Sequence, residues 1–137
     1  MLRLVAADAA DLAIISAQMQ DGVLRRDEMS FDPKRRRFSL VANRFVWGAL
    51  PTKKRCRVGL HFDDVESVSV QGVEKIAAQP VLSLLAITFV KSAGLAGIIT
   101  LAFSGKISVR LQVSCINATM ADLSEAWGAA KSPMHQT

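Results

Sequence analysis

The residues best equipped for chemistry in this chain are four consecutive cations, Lys34-Arg35-Arg36-Arg37, in the stretch DPKRRRFSLVANRFVW that runs from Asp32 to Trp47. Such a density of cations suits phosphate or carboxylate recognition, because a guanidinium fork donates two parallel hydrogen bonds to one anion. Side chains alternate along an extended chain, so Arg35 and Arg37 point the same way, while Arg36 lies near the turn. The anion site expected from the sequence therefore comprises Lys34, Arg35 and Arg37, joined by Arg57 from the neighbouring strand. The competing expectation is a solvated turn, with Asp63-Asp64 brought to the same end by an up-and-down meander and neutralising part of the charge. The second basic cluster, Lys53 to Arg55, falls at the far end of a strand ~30 Å long at about 3.3 Å per residue, so the two clusters do not merge.

Other reactive groups are sparse. The two histidines are His61, in a strand, and His135, in the tail. His61 reads as a partly exposed structural residue, although Asp63 and Asp64 are near enough to orient its imidazole. Cys56 and Cys115 lie far apart, with no C-x-x-C and no His-rich partner, and read as reduced, buried thiols at core parity. No G-x-S-x-G, P-loop, H-E-x-x-H or paired-glutamate pattern is present, and no cofactor is expected. Gly94-Leu95-Ala96-Gly97 matches the G-x-x-G of a nucleic-acid-clamping loop, but it joins apolar strands and reads as a hairpin turn. Single-strand binding asks for exposed aromatics among cations, whereas tyrosine is absent and most of the phenylalanines fall at core parity.

Charge is polarised. The segment from Arg25 to Arg57 carries a net +8 within a chain of +5, leaving −3 for the remainder. The N-terminal stretch MLRLVAADAADLAIISAQMQ is no signal peptide, since Asp8 and Asp11 interrupt its apolar character, and a cytoplasmic location is expected. Val81 to Phe103 is long enough to span a bilayer, but Lys91 lies near its middle and Ser92, Gly94 and Gly97 beside it read as a turn. Two separate strands are expected there, and not an integral membrane protein.

Elements must position these groups. Asp8 to Asp11 opens a helix bearing Leu12, Ile15 and Met19 on one face, with Gly22 as its stop. From Val23 the period becomes two, with a polar strand over 23–31, a turn at Asp32-Pro33, and a strand on which Phe38, Leu40 and Ala42 share a face. Phe45 and Trp47 have the opposite parity, which predicts a β-bulge at Asn43-Arg44. Cys56, Val58, Leu60 and Phe62 alternate in the next strand. The segment from Val81 to Lys91 is apolar on both parities and reads as covered on both sides. Parity between Phe103 and Ile107 demands a three-residue loop, Ser104-Gly105-Lys106. Thr119 to Trp127 reads as a capped helix carrying Met120, Leu123 and Trp127, and 131–137 as a frayed tail.

The resulting expectation is one domain over 1–137 of the α+β class. It is an antiparallel barrel or sandwich of about seven strands with an N-terminal helix and a C-terminal capping helix. That order, ending in a helix with a tryptophan in SEAW (Ser124 to Trp127), looks like a pleckstrin-homology-type barrel. A closer resemblance rests on DLAIISAxxQD (Asp11 to Asp21), KxRRFxLVxNRFxW (Lys34 to Trp47), GLHF (Gly59 to Phe62), VLSLLAI (Val81 to Ile87) and CIxAxxxDLxxAW (Cys115 to Trp127). In these motifs the chain is similar to DUF2948, a family of short bacterial proteins of unknown function, and the resemblance brings no activity with it. The functional expectation is a non-catalytic binding or adaptor module for an unidentified protein partner, with a homodimer compatible. The alternative is binding of an anion, phospholipid or nucleic acid through Lys34–Arg37, with an enzyme third.

Overall fold

Asp8, Asp11 and the Leu12, Ile15, Met19 stripe build helix α1 (Ala9–Met19) in the computed structural model, which describes residues 1–46, 54–76 and 79–128. The Asp8 carboxylate caps it by accepting the Asp11 N–H at 2.8 Å, satisfying one of the first-turn donors that lack an intrahelical partner. The chain leaves through Asp21, which takes the left-handed conformation at φ 64°. Gly22, the expected stop, is needed for a different reason: a Cβ there would lie 2.9 Å from the Met19 carbonyl oxygen. A one-turn helix, α2 (Val73–Ile76), and a 3-10 turn over Arg26–Glu28 complete the helical content among the described residues.

The other regular elements among the described residues are strands. In chain order these are β1 (Arg3–Ala6), β2 (Val23–Arg25), β3 (Met29–Asp32), β4 (Arg37–Phe45), β5 (Lys54–Phe62), β6 (Val65–Gln71), β7 (Val81–Ala93), β8 (Ala96–Phe103), β9 (Ile107–Val113), β10 (Ala118–Asp122) and β11 (Trp127–Gly128). They form one open antiparallel sheet in the order β1-β10-β5-β4-β2-β7-β8-β9-β6, with β3 also on β4 and β11 also on β5. Strict alternation of buried and outward residues runs through β4, β5 and β8, and the inward side chains of both halves of the sheet join α1 in one core. Each fully buried Leu, Ile or Phe of that core contributes about 1.5–3 kcal/mol.

The α+β class with two helices and a pleckstrin-like barrel or sandwich is therefore overturned. The protein is mainly antiparallel sheet, open, with one helix longer than a single turn among the described residues. The expected C-terminal helix is two strands. Residues 118–122 lie between β1 and β5 and pair with both, Met120 opposite Leu4 on one side and Leu60 on the other. The helical spacing of Met120, Leu123 and Trp127 could not reveal two strand partners distant in sequence, one of which, β1, was not expected as a strand. Leu123 is exposed, and Trp127 is half-buried opposite Arg55.

Two local readings also change. No bulge occurs at Asn43-Arg44: β4 and β5 stay in register from Phe38–Phe62 to Phe45–Arg55. Strand β7 is covered on one face only, with Leu82, Leu84 and Ile87 buried and Val81, Leu85 and Val90 exposed, and a register shift between Leu84 and Ala86. The three-residue loop is as expected, with Phe103 paired to Ile107 and both Gly105 and Lys106 at positive φ. The Val81 to Phe103 run divides into β7 and β8 around Gly94-Leu95. Trp47, the Gly48 to Pro51 turn, Lys53 and the tail at 131–137 lie outside the described residues.

Candidate functional site

The basic turn is built by Asp32. Its carboxylate accepts the backbone N–H groups of Lys34 at 3.1 Å and Arg35 at 3.3 Å, bending the chain back, and Arg36 completes the reversal at φ 54°. Arg37 then enters β4 with its guanidinium on Asp63: Nε donates to Oδ1 at 2.7 Å and a terminal nitrogen to Oδ2 at 3.3 Å. Arg36 lies 3.7 Å from Glu66 and Arg35 lies 3.8 Å from Asp32. Compensation by the Asp63-Asp64 turn is thus realised through Asp63. The Lys34 ammonium has no side-chain partner among the described residues.

Arg57 does not join this group. It stands opposite Asn43, six residues along β4 from Arg37, about 20 Å away at strand rise. Its guanidinium donates to Glu28 and, at 3.3 Å, to Asn43 Oδ1. Of the four expected site residues, Lys34, Arg35 and Arg37 share one turn and Arg57 belongs to another neighbourhood.

At the other end of β4 lies a cluster that the sequence reading missed. Arg44 points inward and is 4% exposed. Its Nε donates to Asp122 Oδ1 and a terminal nitrogen to Oδ2, both at 2.8 Å, in a bidentate fork, while its other terminal nitrogen reaches Gln18 Oε1 at 3.3 Å and the Phe45 carbonyl at 3.0 Å. Asp122 also accepts the Leu2 N–H at 2.8 Å and the Cys56 thiol at 3.2 Å. Burial raises the Asp122 carboxyl, but its hydrogen bonds from Arg44, Leu2 and Cys56 outweigh that and hold it below the ordinary carboxylate range. Burial, then the Asp122 hydrogen bond, push the Cys56 thiol up to about 11. A cavity of 250 Å³ opens beside the cluster, next to Met1 and Ser124. Its polar groups are spent on one another and its thiol is kept protonated, which is a structural ion pair rather than an activated nucleophile. Parity was the available signal: Arg44 shares a face with Phe38, Leu40 and Ala42, and Asp122 shares one with Ala118 and Met120.

The remaining candidates are weaker as chemistry. His61 Nε2 lies 3.6 Å from Asp63, and burial followed by the charge of Arg37 lowers its pKa. Cys115, expected to be buried, is half-exposed, with its Sγ 3.5 Å from Asp64.

A groove of 390 Å³ separates β3 from β6. Met29 and Phe31 face it from β3, Val68 and Val70 from β6, and Phe38 and Val109 also line it. One end of the gap is closed by a backbone hydrogen bond, the Val65 N–H donating to the carbonyl of Arg36 in the β3–β4 turn at 3.0 Å; at the other end the Arg26 N–H donates to the Pro80 carbonyl at 3.3 Å, which extends the β2–β7 pairing and does not reach β6. Beyond the Val65–Arg36 bond no ladder joins β3 to β6 among the described residues, since β3 pairs with β4 and β6 with β9. Each strand therefore keeps one open edge.

Fold and site define a protein built on a single open antiparallel sheet, stabilised at one end of β4 by a buried ion pair and grooved between two of its strand edges. The family model described as "Protein of unknown function (DUF2948)" matches residues 2–135, and the chain belongs to that family. No curated protein and no solved structure matches it. No helix among the described residues is long and apolar enough to cross a membrane.

Proposed function

We propose that the chain is a non-catalytic, single-domain binding module that engages a protein partner through the groove between β3 and β6. The observation that carries this reading is the pairing of an apolar cleft with two open strand edges, since apolar lining and unpaired backbone together favour a polypeptide over a small solute. The cleft volume falls within the range of specific binding sites. A non-catalytic role is supported by the condition of the reactive groups: Cys56 is buried and kept protonated, and His61 is paired with Asp63 and meets no nucleophile among the described residues. Two free, unpaired cysteines favour a reducing compartment, in line with work in the cytoplasm.

Anion binding through the basic turn has less support. Arg37 and Arg36 are engaged with Asp63 and Glu66, and Arg57 with Glu28, which leaves Lys34 and the loosely held Arg35. Site-specific photo-crosslinking in host cells separates these readings. A benzophenone side chain at Ser30, on the lip of the groove, is expected to give one discrete protein adduct, whereas the same group at exposed Arg110 on β9 gives none. Equal labelling from both positions, or adducts only from a probe at Lys34, rejects the groove as the binding surface.

A further inference from the structure

We infer that the groove takes an extended peptide strand of the partner, apolar at alternate positions and bearing a carboxylate that Arg26 receives. The inference rests on the binding-module reading and adds the conformation and charge of the occupant.

Conformation follows from the edges. The open edges of β3 and β6 present backbone N–H and C=O groups to the gap, and covering them without partners costs about 1–3 kcal/mol for each group left unsatisfied. An acyl chain or a small apolar molecule could fill the space but could not satisfy such a row. A second backbone can, because its donors and acceptors alternate at the same spacing. A strand laid in the groove also sends every other side chain to one face. That face meets Met29 and Phe31 on one wall and Val68 and Val70 on the other, in a space suited to two or three aliphatic side chains. The Val65–Arg36 hydrogen bond fixes one end of the groove before binding, which lowers the ordering cost of association.

Charge follows from what lines the groove and is already neutralised. Arg26 stands at one end, in the 3-10 turn, and its guanidinium has no hydrogen bond or ion pair among the described residues. Its neighbours are committed: Arg25 lies 3.6 Å from Asp27, and Arg57 binds Glu28. At the opposite end Arg36 and Arg37 face Glu66 and Asp63. Lys34 is also without a side-chain partner among the described residues but does not line the groove, so the unmatched cation of the lining is Arg26, and a carboxylate there sets the register and direction of the strand more than its affinity, because the site is exposed.

The test is selection of a random dodecapeptide phage library on the full chain, followed by fluorescence anisotropy with the synthetic peptides recovered. Val70→Asp and Ser30→Lys, each checked for folding by circular dichroism, are expected to weaken binding by about tenfold or more, as is N-methylation of alternate backbone nitrogens of the peptide. Arg26→Glu is expected to weaken acidic peptides about threefold to tenfold, and exchanging the peptide's acid for lysine restores binding to that variant. Peptides that need Val70 and Ser30 but ignore both N-methylation and Arg26→Glu overturn this inference and leave the binding module standing. Failure to recover any peptide sensitive to Val70→Asp or Ser30→Lys overturns both. Competition by decanoate at lower concentration than the peptide, abolished by Val70→Asp, replaces the peptide with a lipid.

Discussion

Strand β4 carries an arginine–aspartate pair at each end, and the two pairs are chemically alike but physically opposite. Arg44 and Asp122 are 5% and 6% exposed at the side chain, whereas Arg37 and Asp63 are 43% and 25% exposed. Both use a two-point fork with a shortest contact of 2.7 or 2.8 Å. The difference is therefore solvent and not geometry. Water screens the Arg37 pair and competes for its partners, so forming it contributes little. The Arg44 pair has given up hydration on both sides, so removing either partner leaves a buried group without compensation. One strand thus shows that distance alone does not measure the worth of an ion pair.

The largest effect that tests this contrast is expected from Asp122→Ala, which strands Arg44, the Leu2 N–H and the Cys56 thiol. Urea denaturation should report a loss of about 3–5 kcal/mol. A loss below about 1 kcal/mol would mean that water reaches the cluster and that the two pairs are equivalent. Replacing both partners, Arg44→Met with Asp122→Leu, should recover much of the loss, because no uncompensated charge then remains buried.

The thiols extend the comparison to reactivity. Cys56, on the buried cluster with its pKa near 11, should react with an aromatic disulfide reagent at pH 8 at least about 10²-fold more slowly than half-exposed Cys115. Equal rates would show that the β4–β5 end opens readily.

Acid provides a third probe. The folded Asp122 carboxyl titrates below its unfolded value, so its contribution is present above about pH 4 and is lost as pH falls through the folded pKa. Asp64, lowered by hydrogen bonds from Asn117 and then Cys115, adds to the same slope from a half-buried turn and contributes less. Stability should decline from about pH 4 downward, and Asp122→Asn should flatten most of that decline. A slope unchanged in Asp122→Asn would assign the acid sensitivity to other carboxylates.

Asp63→Ala should have the smallest effect, about 0–1 kcal/mol, fading further in 1 M salt. A loss comparable to that of Asp122→Ala would place hidden structural weight on the basic turn.

Much of this was readable from residue order. The α1 cap and stripe, the alternation of Phe38, Leu40 and Ala42 against Cys56, Val58, Leu60 and Phe62, and the Ser104-Gly105-Lys106 loop depend on contacts between residues close in sequence or on period alone. Arg44 was misread because the opposite parity of Phe45 and Trp47 was taken to require a bulge at Asn43-Arg44, whereas β4 runs through in register and keeps Arg44 on the inward face. Its partner, Asp122, lies 78 residues away, and only that partner makes the position tolerable. Met120 to Trp127 satisfied a helical spacing as well as a strand alternation, and the choice was made by β1 and β5 on either side. The groove left no local signature, because Met29, Phe31, Val68 and Val70 look like ordinary alternating strand residues in each segment by itself.

The sequence by itself determined the period of most segments, the inward face of the central strands, the positions of the tight turns and the family. These are local properties, set by backbone sterics, by side-chain alternation and by motif identity. Tertiary structure alone decided that the sheet stays open, that the C-terminal segment is strand, that Arg44 is buried with Asp122 while Arg37 remains wet, and that the edges of β3 and β6 face one another across an apolar gap. Each of these depends on which distant strand supplies hydrogen bonds or excludes water, and neither is encoded in the order of neighbouring residues.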